Sequence, residues 1–353
     1  MAPSTTKQWT VQGKEGFESL KWDDKAPVPS LGDKDVLVKF HAASLNFRDL
    51  AIPKGKYPFP VKDGVIPGSD GAGVVEAVGS NVTRFKQSSL TLFPDKVATL
   101  FNQGHLAGPL NPAILGTGLG GVVDGALREY GAFDEQGLVH MPSNLDFAEA
   151  STLPCAALTA WNALYGLKKL EPGQTVLTQG TGGVSIFALQ FAKAAGARVI
   201  ATTSSPEKAE LLKKLGADHV INYKENPNWG EQAQSLSPGG LGVDHVVEVG
   251  GPTTMKQSLV AIKIDGVISI IGFIGGFSRD QPSFLDCLNN ICTVRGLLVG
   301  SRQQFEDMNA AIEANDIHPV VDKKVFTLPE LKEAYQYMFD QKHFGKLAIK
   351  IAE

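Results

Sequence analysis

From Val36 to about Val139 the apolar positions fall in short runs broken by glycine and proline, VLVKFHAAS, GVVEAVG, KVATLF and ALREYGAF. Runs of that length predict the strands of a compact β-rich domain. Between Leu100 and Leu127 lies a long stretch rich in glycine and proline, and a connection of that length is expected to be functional or mobile. Past Ser151 the period changes. Helical spacing over Phe147–Leu164 leads into apolar runs at Thr175, Arg198, His219, Val243, Gly266 and Cys292, separated mostly by helical segments such as Pro206–Leu215 and Thr254–Ile262. Alternation of this kind predicts an α/β domain with a doubly wound parallel sheet. The tail returns to a helix, LPELKEAYQYMF, and a strand, KLAIKI. That last strand is expected to rejoin the β-rich domain, which then comprises residues 1–145 completed by 316–353, around a parallel-sheet domain over 146–315.

The densest local signal is Gln174–Thr203, QTVLTQGTGGVSIFALQFAKAAGARVIATT. An apolar run from Thr175 to Thr178 enters a glycine cluster, a helix-period segment runs from Val184 to Ala195, Gly196 stops it, and the β-branched run Arg198–Thr203 follows. This is the grammar of a βαβ unit that binds a dinucleotide. The turn Gly180, Thr181, Gly182, Gly183 and Val184 would let backbone N–H groups and a helix N-terminus meet a pyrophosphate. Ser185 stands where a third glycine would complete the motif, so the match rests on the flanking strand, helix and second strand.

Length and composition narrow the class. At 353 residues the chain suits two domains. A net charge of −4 provides no basic bias toward nucleic acid or an anionic membrane. No run of 18 apolar residues occurs and the N-terminus has no apolar core, so neither membrane spanning nor secretion is expected. Cys155, Cys287 and Cys292 show no metal-ligand spacing and fit a reduced, cytoplasmic protein. A soluble protein that handles a small molecule is the class that remains.

Six segments, in order, carry a family resemblance: IPGSDGAGVVEAVGSNVTRF, DGALREY, STLPCAALTAWNAL, TQGTGGVSIFALQFAKAAGARVIAT, KLGADHVINY and FGKLAIKI. The chain resembles the medium-chain dehydrogenase/reductase superfamily of zinc alcohol dehydrogenases and zinc-free quinone oxidoreductases. The resemblance implies a GroES-like catalytic domain, a Rossmann domain and a substrate cleft between them. It also implies homodimers, through edge pairing of a strand within Cys292–Val299.

In zinc-dependent relatives the catalytic ligands lie at positions that here read Asn46, Ser69 with Asp70, and Cys155. Only Cys155 and Asp70 have coordinating chemistry. Cys155 has small apolar neighbours and reads as a buried core residue. The loop that holds a structural zinc in relatives corresponds to Leu92–Leu127, which has no cysteine. Both metals are therefore expected to be absent. His41, His219 and His245 read as packing or edge residues, and His105, in the long loop, as a weak candidate for substrate contact.

The place of the ribose-binding acid reads Thr202-Thr203-Ser204-Ser205, with no acid before Glu207. Hydroxyls there, Lys208 in the next helical turn and Tyr223, which matches a 2′-phosphate contact of zinc-free relatives, favour NADPH over NADH. Lys208 also reads as a solvated helix charge and Tyr223 as a half-buried strand aromatic; their convergence favours the phosphate. By resemblance Val249 and Gly250, Gly272 and Phe273, and Leu298 and Val299 pass along the nicotinamide end of the cofactor, with Gly345 and Lys346 as its C-terminal clamp and Thr159 nearby. Hydride transfer builds negative charge on the acceptor oxygen. Without zinc the expected catalytic residues are Asn46, at the lost-cysteine position, Tyr57, which resembles a cleft tyrosine of quinone oxidoreductases, and Asp49. Arg48 and Asp49 also read as a structural ion pair. The expected activity is NADPH-dependent reduction of a quinone, an activated C=C or a carbonyl on a small lipophilic molecule. The alternatives are zinc-free alcohol or aldehyde turnover and a non-catalytic NADPH-binding protein. Substrate identity stays open, since Leu100–Leu127 and Phe273–Ser283 would supply the pocket walls.

Overall fold

The computed structural model describes residues 3–87, 94–276 and 278–352; Leu92, in the loop read for a structural zinc, and Phe277, in the expected pocket wall, lie outside them. Two compact units emerge, Met1–Leu158 with Gly300–Glu353, and Thr159–Val299. The first is discontinuous, with boundaries displaced from 145/146 and 315/316 because the helical stretch after Phe147 and the helix Arg302–Ala314 both pack with it.

The first unit opens on a hairpin, β1 (Thr5–Val11) and β2 (Leu20–Pro27), that the local pattern does not announce. Its polar strands are held by distant partners: Trp9 packs on Trp22 at 5.3 Å between ring centroids, and its Nε1 donates to Leu328 O at 2.8 Å. The main sheet is built on β3 (Asp35–Leu45), which pairs antiparallel with β4 (Asp70–Val78). Beyond it come β5 (Lys96–Thr99), β6 (Tyr130–Asp134), which pairs β3, and β7 (Leu138–His140). The Leu100–Leu127 stretch is a packed excursion rather than a loose loop. Asn102 bridges Gly118, a helical turn spans Pro112–Leu115, and Leu119 and Leu127 are fully buried.

The expected helix over Phe147–Leu164 is broken into Phe147–Ala150, a π-helical turn Leu153–Ala157 and Leu158–Tyr165. Pro154 is the cause, because a proline inside a helix has no N–H to donate and its ring crowds the preceding turn.

The second unit holds β8 (Thr175–Gln179), β9 (Arg198–Thr203), β10 (His219–Asn222), β11 (Val243–Glu248), β12 (Ile262–Ile270) and β13 (Thr293–Gly296). They form one parallel sheet in the order β10-β9-β8-β11-β12-β13. The order reverses between β8 and β11, so the C-terminal ends of those strands flank the switch point where ligands bind in such sheets. His245 is buried in β11, and burial lowers its pKa to about 4. No helix of the described residues is long and apolar enough to cross a membrane.

The chain then returns to the first unit as β14 (Phe326–Thr327), the helix Leu331–Phe339 and β15 (Leu347–Lys350). β15 pairs antiparallel with β3, with Leu347 opposite Leu45 and Ile349 opposite Ala43. Trp9, Leu20, Leu45, Tyr335 and Ile349 share one core, so both ends of the chain are needed to close it.

Candidate active site

Three neighbouring strands place the central cluster. Leu347 opposite Leu45 sets Lys346 beside Asn46, and Ser44 opposite Asp70 sets the acid on the other side of β3. Gly345 turns the chain into β15 with φ +72°, and a Cβ there would lie 2.2 Å from Val320 O, so only glycine fits. The Lys346 Nζ donates to Leu45 O at 2.7 Å, Asn46 Oδ1 at 2.7 Å and Asp70 Oδ2 at 3.2 Å. Asn46 Nδ2 donates to Ser69 Oγ at 3.3 Å, and Ser69 Oγ to Asp70 Oδ1 at 2.7 Å. The bonds close into a ring, Lys346 to Asn46 to Ser69 to Asp70 and back. Three acceptors on one nitrogen require the ammonium, and an ammonium only donates, so the Asn46 amide must turn its oxygen inward. Asp70 and Ser69 are fully buried and Lys346 is 3% exposed, while Asn46 is 9% exposed. One N–H of Asn46 Nδ2 is left over.

Around this ring the sequence expectations divide. Asn46 stands at the N-cap of the helix Phe47–Ala51, in a capping box with Asp49. Asp49 is fully buried and accepts from Asn46 N at 2.8 Å. It therefore cannot touch substrate, and its expected catalytic part becomes one of positioning Asn46. Burial raises its pKa from 3.8 to about 6, against the pull of Arg48 and of the Asn46 N–H. The expected Arg48–Asp49 ion pair is not formed. Arg48 instead donates to Leu119 O at 2.6 Å and lies between the Tyr57 and Phe101 rings, 4.9 and 4.7 Å from their centroids. Tyr57 is half-buried beside a cavity of about 290 Å³ also lined by Ile52, Phe59 and Val61. Burial raises its pKa further than Arg48 lowers it, so the phenol keeps its proton at neutral pH. Cys155, expected in the core, is a free, half-buried cysteine on the π-helical turn, and burial of its thiol, then the charge of Asp70, pushes its pKa up to about 12. His105, the loop candidate for substrate contact, is 3% exposed with Nε2 2.9 Å from Gly108 O.

In the second unit the glycine turn sits at the end of β8. Gly180 has φ +73°, and a Cβ on Gly182, the N-cap of the helix Gly183–Ala194, would meet nothing within 4 Å. The bare backbone therefore borders open space at a helix N-terminus, the setting that suits a pyrophosphate. Thr181 is buried, and Val184 stands in the first turn of that helix. Asn222 pairs with Thr203 at the ends of β10 and β9, and Tyr223 N donates to Thr203 O at 3.1 Å. Thr203, Ser204, Lys208 and Tyr223 are thus gathered at the C-terminal edge of β9 and β10. Lys208 N bonds the Ser205 cap at 3.3 Å, and Tyr223 is 40% exposed rather than half-buried in a strand.

Sequence reasoning missed what holds the neighbouring turn. Glu248, fully buried at the end of β11, accepts from Gly250 N and Gly251 N at 2.9 Å, Thr254 Oγ1 at 2.5 Å and Ser258 Oγ. Gln179 donates to it at 2.8 Å and accepts from Val249 N and Gly250 N at 3.1 and 3.2 Å. These bonds fix Val249 and Gly250 at the switch point. A Gln ending one strand directly before Gly180, and a Glu ending its parallel neighbour two residues before Gly250-Gly251, was the available signal. Gly272 follows β12 and Phe273 is 45% exposed. Val299, after Leu298, holds φ +49° and its carbonyl accepts from Asn162 at 2.6 Å; a β-branched residue in that region is strained. Thr159 is buried.

Comparison with known proteins matches this architecture. Residues 32–143 match the alcohol dehydrogenase GroES-like domain and residues 183–314 the zinc-binding dehydrogenase family. A zinc-type alcohol dehydrogenase-like protein of Schizosaccharomyces pombe is 48% identical over 95% of this chain and 96% of its own length. The chain belongs to the medium-chain dehydrogenase/reductase superfamily. A putative alcohol dehydrogenase from Sinorhizobium meliloti superposes with a TM-score of 0.89 at 39% identity, covering 99% of this chain and all of that one. An NADPH-dependent alkenal/one oxidoreductase of Arabidopsis thaliana is 29% identical over 98% of this chain and 80% of its own length. Other relatives bear the names alcohol dehydrogenase and quinone oxidoreductase. As a member of this superfamily the protein is a nicotinamide-dependent oxidoreductase.

The zinc of many superfamily members needs three ligands and an open position. Among the described residues no three His, Cys, Asp or Glu side chains group to hold a metal. Asn46 Oδ1 and Asp70 Oδ2 already face the Lys346 ammonium, so these residues do not fit zinc. Lys346 was expected to clamp the cofactor, but all its N–H groups are spent inside the ring and none is left for a phosphate or ribose.

Asp49 provides a check on this geometry. An acid whose folded pKa is raised holds its proton more tightly in the native state, so its contribution to stability is greatest below pH 3.8 and is lost as pH rises through about 6. Asp49→Asn should therefore gain on wild type by up to about 3 kcal/mol between pH 4 and pH 8. Denaturant melts at the two pH values measure this, and a difference that does not change with pH would contradict the buried acid.

Proposed function

We propose that this protein is an NADPH-dependent, metal-free oxidoreductase that reduces a quinone, an activated C=C or a carbonyl of a small lipophilic molecule. The observation that carries the reading is the pair of donors in the first unit, the unspent Asn46 N–H and the protonated Tyr57 hydroxyl. A bound reduced nicotinamide supplies the hydride. Asn46 and Tyr57 then stabilise the charge that develops on the acceptor oxygen, a task for preorganised neutral donors that need no reorganisation. The name of the Arabidopsis relative pairs NADPH with alkenals and enones, which supports the cofactor and the acceptor class. NADPH oxidation should be screened over quinones, enones, enoyl thioesters and aldehydes, with the products identified. Absence of turnover with every class would defeat the reading.

Two variants separate cofactor choice from chemistry. Lys208→Ala should weaken NADPH about tenfold or more while sparing NADH, since a charge-assisted phosphate contact contributes on the order of 1.5–3 kcal/mol. Titration of both cofactors decides this, and equal losses would assign Lys208 to folding. Asn46→Ala should lower turnover by about 10²–10³ with NADPH affinity nearly intact, and by less for a quinone. Full turnover with a confirmed substrate would remove Asn46 from the mechanism.

The same reading includes a homodimer. Strand β13 is an edge of the six-stranded sheet, and the adjoining segment exposes Phe284 (85%), Leu288 (72%) and Ile291. An unpaired edge beside exposed apolar side chains suits a second copy related by a two-fold axis. Sedimentation at micromolar concentration should give a dimer that Phe284→Glu weakens; a monomeric wild type would refute it.

A further inference from the structure

The hydrogen-bonded ring assigns a second duty to Lys346. We propose that its ammonium is a tethered cation standing in the metal's place, and that it positions and polarises the Asn46 amide. The inference rests on the reading of Asn46 as the donor to the acceptor oxygen. Two of the three positions that would ligate zinc in relatives face this nitrogen directly, through Asn46 Oδ1 and Asp70 Oδ2. The third, Cys155, lies close enough that Asp70 and Lys346 are the foremost charges acting on it. Cation and anion are both inside, and the ring is reached from outside at Asn46, its most exposed member.

The direction of each bond follows from chemistry. Lys346 can only donate, Ser69 spends its single hydroxyl hydrogen on Asp70, and Asp70 as a carboxylate can only accept. The amide is therefore locked with oxygen to the ammonium and nitrogen to Ser69. Hydrogen bonds in such a chain polarise one another, and an amide whose oxygen is held by a cation has more acidic N–H groups. The free N–H of Asn46 is the hydrogen that gains. Lys346 does not touch the acceptor itself, since its three N–H groups are spent, so it is a positioning residue.

Cobalt binding tests the location of the cation without any assay of turnover. Asn46→Cys alone should take up no Co²⁺, because the ammonium still fills the site. Asn46→Cys with Lys346→Ala should bind about one Co²⁺ per chain through the introduced thiol, Asp70 and Cys155, read as thiolate charge-transfer and visible d–d absorption. Equal binding by both variants, or by neither, overturns the placement.

Kinetics test the polarisation. Lys346→Met strands Asp70 as a buried anion and can fail to fold, so the informative variant is Lys346→Met with Asp70→Asn, which removes both charges together. Its kcat should fall at least tenfold with NADPH affinity within about twofold of wild type, and adding Asn46→Ala should lower kcat little further, because the two changes act through one amide. Unchanged kcat, or losses that multiply, overturns the role. A failure of the functional reading looks different, as wild type would then leave NADPH unoxidised with every acceptor class while the cobalt result stands.

Discussion

Asp70 is an ionised side chain with no solvent exposure, and much of the first unit is arranged around it. Burying a carboxylate is costly unless it is both paired and hydrogen-bonded. Here Oδ1 takes a bond from Ser69, and Oδ2 takes one from Lys346 and lies 3.0 Å from Ser44 Oγ. The cation comes from the far end of the chain, so the tail must re-enter the sheet as β15 in one register. A slip of one residue there would turn Lys346 to the other face. The discontinuity of this unit thus has an electrostatic reason as well as a topological one. Losing one partner of such a pair typically costs about 3–5 kcal/mol.

The second unit solves the same problem with neutral partners. Glu248 is as buried as Asp70, but its donors are backbone N–H groups, hydroxyls and the Gln179 amide. No cation lies among these partners. The negative charge is spread over a tight turn, and in exchange the turn is held rigidly at the switch point. One acid anchors an amide donor; the other anchors the backbone beside the glycine turn.

What could be read in the sequence was whatever depends on neighbours in the chain. The strands at Thr175, Arg198, His219 and Val243, the glycine turn and the helix after it were legible because period and punctuation are local. The candidate donor Asn46 was found through resemblance. The function of Lys346 was not legible, because it follows from the pairing of β15 with β3, some 300 residues away in sequence. Asp49 was misjudged for a related reason: a charged residue in a polar-looking segment reads as accessible, and only the packed core under the helix Phe47–Ala51 shows that it is sealed. The β1 strand was hidden because Trp9 is stabilised by Leu328 and Trp22, not by its own alternation. The helix Arg302–Ala314 was readable and missed. Its capping box Ser301–Gln304 and its buried Phe305, Met308, Asn309 and Ile312 follow helical spacing.

A tethered ammonium and a zinc ion differ in what they can stabilise, and the difference bears on the acceptor. Zinc offers an open coordination position and binds the reacting oxygen directly, which lets it ionise an alcohol near neutral pH. With every N–H spent, Lys346 works only through the Asn46 amide, and an amide hydrogen bond stabilises an anion far less than a metal bond does. Acceptors whose charge is already delocalised, such as an enolate or a hydroquinone anion, ask little more than one polarised N–H and a phenol. An isolated alkoxide asks for much more. The ring therefore argues for reduction of conjugated acceptors over oxidation of simple alcohols, and among the substrate classes considered it ranks quinones and enones ahead of unactivated carbonyls.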